Sequence, residues 1–89
     1  MLNDTYIHNC RICGFSLEEP PWGYDGKTPL YEFCPCCGVE FGYQDSSLEG
    51  VKRFREQWIE NGMQWDEVKQ KPDNWNPLEQ FKNIPPEFR

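Results

Sequence analysis

The residues best suited to chemistry in this sequence are its five cysteines, among 89 residues in all. Four of them form two Cys-x2-Cys pairs, Cys10 with Cys13 and Cys34 with Cys37, and twenty residues separate the pairs. Pairs of this kind are typical ligands of a tetrahedral metal ion, because each short loop can bring two thiolates to the same ion. The spacing therefore predicts one metal ion per chain, bound by these four cysteines.

Four thiolate ligands favour zinc, with iron as the alternative, since a tetrahedral site of four sulfur atoms accepts either ion. Disulfide bonds and a redox dithiol are competing interpretations of the same pairs. A reducing cytosol disfavours structural disulfides, and the sequence has no export signal. Four thiolates fill the coordination sphere of zinc, whereas a hydrolytic zinc site keeps one position open. We therefore expect a site without catalytic activity.

Two further residues next to the pairs could take part in this chemistry. Cys36 lies inside the second pair, where it is either a small side chain at a variable position or a redox-sensitive thiol. His8 lies two residues before Cys10, where it could be a ligand or could support the ligands. The sequence leaves both alternatives open.

The surroundings of the cysteines resemble two known families. Each pair is followed by glycine and an apolar residue, and the second pair contains the run Cys34-Pro35-Cys36-Cys37. Over roughly residues 8–50 the pattern resembles the small bacterial cysteine-rich proteins of the CPCC type, which implies a zinc-ribbon fold. The two pairs are also similar to the iron-binding knuckles of rubredoxins, which implies electron transfer by iron.

Short strands and two helices are the elements expected to position the cysteines. Alternating or short apolar segments predict strands over residues 6–9, 30–33 and 39–43. A long helix is predicted over residues 46–61, with Ser46 and Glu49 as its capping box and a stop at Asn61-Gly62. Its apolar face contains four residues: Leu48, Val51, Phe54 and Trp58.

A second, short helix is expected to begin at Asn76-Pro77, with Leu78, Phe81 and Ile84 on its inner face. The predicted fold class is α+β, with a small antiparallel sheet of the zinc-ribbon or rubredoxin type on which one long and one short helix pack. We expect a single domain over residues 1–89, in which residues 1–44 bind the metal and residues 45–89 form a helical extension packed on that part.

Composition excludes several classes of partner. The net charge of −6 disfavours nucleic acids and anionic membranes, because both attract a basic surface. No run of apolar residues is longer than two, which argues against a membrane span and a signal peptide and favours a cytoplasmic protein.

The function favoured by the sequence is a zinc-stabilised binding or adaptor module that recognises a protein partner. The alternatives are a rubredoxin-like iron electron-transfer protein and a thiol-based redox sensor that uses Cys36. The loop of residues 18–26 is the candidate partner surface, with Trp22 and Tyr24 as anchors. Prolines lower the entropy that such a loop loses on binding, and the two rings offer a large contact area. The oligomeric state is left open.

Overall fold

A computed structural model describes residues 4–89 of the chain. It contains two α-helices, α1 (Leu48–Glu60) and α2 (Pro77–Phe81). Three short 3-10 turns accompany them, at Asp4–Tyr6, Val68–Gln70 and Pro86–Phe88. Within residues 4–89 there is no β-strand and no sheet. The predicted α+β class with a zinc-ribbon or rubredoxin-like antiparallel sheet is therefore wrong.

Two isolated β-bridges stand where the strands were expected, between Asn9 and Ser16 and between Phe33 and Glu40. The first cannot lengthen into a ladder, because the chain before Asn9 turns: the Asn9 N–H donates to the carbonyl of Tyr6 at 3.0 Å. The predicted strand over residues 6–9 consequently does not form.

The second bridge is limited on both sides in the same way. Tyr31 has a φ of 58°, in the left-handed region, which interrupts any extended segment leading to Phe33. Beyond the bridge, the Tyr43 N–H donates to the carbonyl of Glu40 at 3.0 Å and closes a turn. The alternation of Val39 and Phe41 with polar residues therefore reflects burial of two side chains in the core, and not a strand.

The two Cys-x2-Cys loops are copies of each other in backbone hydrogen bonding, 24 positions apart. We name residues 8–17 the first knuckle and residues 32–41 the second knuckle. In the first, the Cys10 N–H donates to the Phe15 carbonyl at 2.9 Å. In the second, the Cys34 N–H donates to the Val39 carbonyl at the same distance. One local design therefore presents both pairs of sulfur atoms.

The long helix α1 begins one residue later than its predicted cap. Ser47 is the N-cap, and its side-chain oxygen accepts a hydrogen bond from the Gly50 N–H. The hydroxyl of Ser46 instead donates to the carbonyls of Gly42 and Tyr43. The expected end is confirmed, since Asn61 is the C-cap.

The short helix α2 begins as predicted. The side-chain oxygen of Asn76 accepts from the backbone N–H groups of Leu78 and Glu79, and Pro77 occupies the first position. Its inner face differs from the prediction at one residue. Ile84, just beyond the helix, is buried and Phe81 is half-buried, but Leu78 is exposed.

The core surrounds the cysteines. Its apolar cluster contains the following buried side chains: Cys10, Ile12, Cys13, Cys34, Cys36, Cys37, Val39, Phe41, Val51, Trp58 and Trp65. Aromatic rings extend this cluster towards the C-terminal segment (residues 72–89). Trp75 contacts Trp65 at a centroid distance of 5.3 Å and Trp58 at 6.3 Å, and Phe81 contacts Trp58 at 6.1 Å. Two tryptophans, Trp58 and Trp65, thus belong to the core, and Trp75 packs against it. Among the described residues, no helix combines the length and apolar character needed to cross a bilayer.

Candidate metal centre

The two knuckles bring the four paired cysteines together. The Sγ atoms of Cys10 and Cys37 are 3.7 Å apart, those of Cys13 and Cys34 are 3.8 Å apart, and all four lie within 4.8 Å of one another. Four sulfur atoms at about 2.3 Å from a tetrahedral ion are separated by about 3.8 Å. This group could therefore hold a metal ion, and both short distances join one knuckle to the other.

The four thiols lie almost completely out of contact with solvent. Cys10, Cys13 and Cys34 are fully buried, and Cys37 is 6% exposed. Burial raises the pKa of Cys10, Cys13 and Cys37 above that of an ordinary thiol. Burial acts in the same direction on Cys34, but hydrogen bonds from the three neighbouring thiols outweigh it and lower the pKa of Cys34. A metal ion at this position would replace the protons that the other thiols retain.

One backbone N–H group of the first knuckle also donates a hydrogen bond to a sulfur atom. The N–H of Ile12, which lies between the two ligands of its pair, points to the Sγ atom of Cys10 at 3.4 Å. A donor aimed at a sulfur atom stabilises the thiolate form that a metal requires. The first knuckle therefore supplies a hydrogen-bond donor as well as two ligand atoms.

The outward carbonyls of the two knuckles have different partners. In the first knuckle, the Arg55 side chain on α1 donates from Nη2 to the Arg11 carbonyl at 2.9 Å and from Nε to the Ile12 carbonyl at 2.7 Å. In the second, the corresponding carbonyls of Pro35 and Cys36 accept backbone N–H groups of residues 67 and 66, at 2.8 Å and 3.1 Å. One knuckle is thus held by a cation and the other by neutral amides.

Two bacterial proteins are similar to this chain. The uncharacterised protein YozI of Bacillus subtilis (strain 168) is 36% identical over 73 residues, which covers 64% of this chain and 60% of that protein. The uncharacterised protein YoaQ of the same organism is 34% identical over 71 residues, covering 63% of this chain and 60% of that protein. The chain thus spans 60% of the length of these relatives. No family model matches the chain, and no solved structure is detectably similar to it.

Cys36 and His8 lie outside the group of four sulfur atoms. Cys36 occupies the position in the second knuckle that Ile12 occupies in the first, and both side chains are fully buried. The Sγ atom of Cys36 accepts a hydrogen bond from Nε2 of Gln80 at 3.3 Å. The ring of His8 has its Nδ1 atom 3.1 Å from the carbonyl of Leu17. The fifth thiol is therefore covered by the C-terminal segment. The side chain of His8 connects the two ends of the first knuckle and does not reach the group of four sulfur atoms.

The two aromatic residues expected at a partner surface differ in their exposure to solvent and in their contacts. Trp22 is partly buried, and its Nε1–H donates to the carboxylate of Asp45 at 2.8 Å. The guanidinium of Arg11 stacks between the rings of Trp22 and Phe88, at 3.9 Å and 4.3 Å from their centroids. Trp22 also lines a pocket of about 350 Å³. Tyr24, by contrast, is 68% exposed.

Three residues that shape the site were not singled out in the sequence. Asp45 is a fully buried carboxylate, held by Trp22 and by the N–H of Gly42 at 2.8 Å. Gln80 joins the C-terminal segment to the first knuckle, since its Nε2 also donates to the Cys13 carbonyl at 3.1 Å. Arg55 was visible only as a cation beside the apolar face of α1. The sequence pattern showed no signal for Asp45 or Gln80.

Proposed function

We propose that this chain is a zinc-stabilised binding module without catalytic activity, and that it recognises a protein partner. One observation carries the proposal: four buried Sγ atoms at the spacing of a tetrahedral four-sulfur site. Zinc is the ion that such closed thiolate sites most often hold in structural roles. The resemblance of the cysteine pattern to bacterial CPCC-type proteins supports the same ion.

The burial of the ligands supports a structural role for the metal. A catalytic zinc ion needs a position open to water or substrate, whereas these four sulfur atoms would fill the coordination sphere of a bound ion and are almost completely buried. Structural zinc contributes on the order of 10 kcal/mol to the folding of small domains. Total stabilities are typically about 5–15 kcal/mol. Metal binding at this group is therefore large enough to decide whether the chain folds.

The metal is tested by elemental analysis and a visible absorption spectrum of protein purified without added metal. We expect a colourless protein with one zinc ion per chain. A red protein that contains one iron per chain and is bleached by dithionite would instead support electron transfer. Protein that is folded and contains no metal would contradict the proposal altogether.

Exposed aromatic rings support the recognition of a protein partner. Four of them are 59–70% exposed: Tyr24, Tyr31, Phe33 and Tyr43. Aromatic side chains are enriched among the residues that dominate the binding energy of protein interfaces. Tyr24 lies in the loop of residues 18–26 and is exposed there, so it is the residue of that loop best placed to contact a partner.

The partner surface is tested with Tyr24→Ala and the matched variant Tyr43→Ala, which removes an equally exposed ring outside the loop. Tagged protein is used to capture binding proteins from a lysate of the source cell, and melting temperatures are measured in parallel. We expect Tyr24→Ala to lose partners that Tyr43→Ala retains, with both melting temperatures unchanged. Equal capture by the two variants would contradict a role for the loop.

A further inference from the structure

We propose that Arg55 is a positioning residue of the metal centre, which stabilises thiolate charge on Cys10 through a peptide group that both residues contact. This inference rests on the proposed metal site. Arg55 is not a ligand and lies on α1, outside both knuckles. It would set how tightly the first pair of cysteines binds the ion.

The geometry is a chain of two hydrogen bonds through one peptide group. Nη2 of Arg55 donates to the Arg11 carbonyl at 2.9 Å. The N–H of that same peptide group belongs to Ile12, and it donates to the Sγ atom of Cys10 at 3.4 Å. A cation at the carbonyl end polarises the peptide, which makes its N–H a stronger donor to the sulfur atom. The positive charge of Arg55 thereby strengthens the hydrogen bond that stabilises negative charge on the Cys10 sulfur atom.

A second bond fixes the guanidinium in this orientation. Nε of Arg55 donates to the Ile12 carbonyl at 2.7 Å, so the planar fork binds two successive carbonyls of one knuckle. Bonds from a charged donor are roughly twice as strong as neutral ones. The fork therefore holds the peptide groups between Cys10 and Cys13 in one orientation.

A nearby cation would compensate the negative charge of a metal ion bound by four thiolates. A divalent ion with four thiolates has a net charge of −2, and a buried charge needs compensation from nearby donors or cations. Arg55 is half-buried, and the charges of Cys10, Cys13 and Cys37 act on its guanidinium. Burial lowers the pKa of Arg55, because the charged guanidinium loses part of its hydration there. The charges of the three cysteines oppose this shift in part.

The second knuckle shows what the same position looks like without a cation. Its corresponding carbonyls, on Pro35 and Cys36, accept neutral backbone N–H groups. The two knuckles share three backbone hydrogen bonds. Among residues 4–89, the first knuckle alone combines a cation on these carbonyls with a backbone N–H that donates to a ligand sulfur atom. Arg55 consequently acts on the first pair of ligands in particular.

Arg55 also binds a group outside the metal centre, so a test must distinguish the loss of that contact from an effect on the metal. Its Nη2 also donates to the carbonyl of Phe88 at 2.6 Å, which ties α1 to the C-terminal segment. Loss of that bond would lower stability whether or not the centre depends on Arg55. The experiment therefore needs a spectroscopic measurement that depends directly on the electronic state of the sulfur ligands.

The test compares Arg55→Gln and Arg55→Lys with Arg53→Gln, which removes the same charge from an exposed position on the same helix. Zinc affinity is measured by competition with a chromophoric chelator, using reduced protein. The Co²⁺-loaded forms are compared by the position of the sulfur-to-cobalt charge-transfer band. Substitutions behind metal ligands typically weaken metal affinity 10–100-fold.

We expect Arg55→Gln to bind Zn²⁺ about tenfold more weakly or worse. Its cobalt band should move to longer wavelength, because electrons leave a thiolate more easily without a nearby cation. Lysine keeps the charge but lacks the fork, so Arg55→Lys should lie between Arg55→Gln and the parent in both measurements. Arg53→Gln should match the parent.

Several outcomes would overturn the proposal. Parent-like affinity and band position in Arg55→Gln would do so directly. Weaker affinity with an unmoved cobalt band would assign Arg55 to the fold alone. If Arg55→Gln does not fold even with Co²⁺, the comparison is made with Arg55→Lys, and a parent-like band and affinity in that variant would contradict the role of the guanidinium fork. A parent protein that binds neither Zn²⁺ nor Co²⁺ is a separate result, which would defeat the proposed function itself.

Discussion

The backbone of Gln80 passes so close to Gly14 that a Cβ atom on Gly14 would collide with the Gln80 carbonyl oxygen. The corresponding glycine of the second knuckle, Gly38, has nearly the same backbone conformation, with φ of 81° against 83°. There the nearest neighbours are side-chain atoms of Asp66 at 3.5 Å, an ordinary contact distance. Of the two glycines, Gly14 is thus the one against which the backbone of the C-terminal segment packs.

Alanine substitution of the two glycines should therefore have unequal effects. Each alanine would be forced into the left-handed region, at a cost of about 1–2 kcal/mol. Gly14→Ala must also displace the backbone of the C-terminal segment, so its loss of unfolding free energy should clearly exceed that of Gly38→Ala. Chemical denaturation of the metal-loaded proteins measures both. Equal losses would mean that close packing at Gly14 does not stabilise the fold.

Removal of one ligand should remove the metal and most of the folded structure. Cys13→Ser replaces a thiolate with a hydroxyl, which is a poor ligand for zinc, and we expect substoichiometric metal and loss of a cooperative melting transition. Cys36→Ser is the matched control, because Cys36 is equally buried but lies outside the group of four. It should retain one metal ion per chain. Full metal content in Cys13→Ser would refute the ligand assignment.

Trp58 should be essential to the core. It is 7% exposed, contacts Trp75 and Phe81, and donates from Nε1 to the Gln64 carbonyl at 2.9 Å. Trp58→Ala should cost about 3–5 kcal/mol of unfolding free energy. Its neighbour Ile59 is exposed, and Ile59→Ala should change stability by about 0.5 kcal/mol at most. A Trp58→Ala protein that melts like the parent would show that the contacts of this ring are not stabilising.

Trp22→Phe tests the buried carboxylate of Asp45. Phenylalanine keeps a ring beneath the guanidinium of Arg11 but removes the Nε1–H donor, which leaves Asp45 with one fewer partner. We expect a loss of about 1–3 kcal/mol in denaturation experiments, the cost of an unsatisfied buried acceptor. Tyr24→Phe removes a hydroxyl from an exposed ring of the same loop and should be neutral. Equal stability of the two variants would contradict a structural role for the Trp22–Asp45 bond.

Local signals in the sequence predicted the helices and the grouping of the cysteines. Asn76 and Pro77 specify the start of α2 by capping and by a fixed φ, and both effects depend only on adjacent residues. The predicted cap of α1, Ser46, was wrong by one residue, because Ser47 can also cap a helix and the hydroxyl of Ser46 bonds to the carbonyls of Gly42 and Tyr43 instead. The repeated spacing of the cysteines likewise predicted that all four would meet.

The sheet was predicted wrongly because alternation indicates only which side chains are buried. Val39 and Phe41 are both fully buried, as a strand would have them, but the turn at Glu40 and Tyr43 prevents a ladder. Arg55 and Gln80 could not be found at all from local pattern. Their partners on the first knuckle lie 43 and 67 residues away in the chain, and only the folded arrangement brings them together.

All four cysteines of the group precede α1 and the C-terminal segment in the chain. Since synthesis proceeds from the N-terminus, these thiols leave the ribosome before the residues that later cover them, and an ion can reach them directly from solution. In the finished protein, the same ion would lie beneath Gln80 and its neighbours. Exchange of the ion would then require local opening of the C-terminal segment. The half-life of the bound ion would report the frequency of that opening as well as the strength of the metal–sulfur bonds.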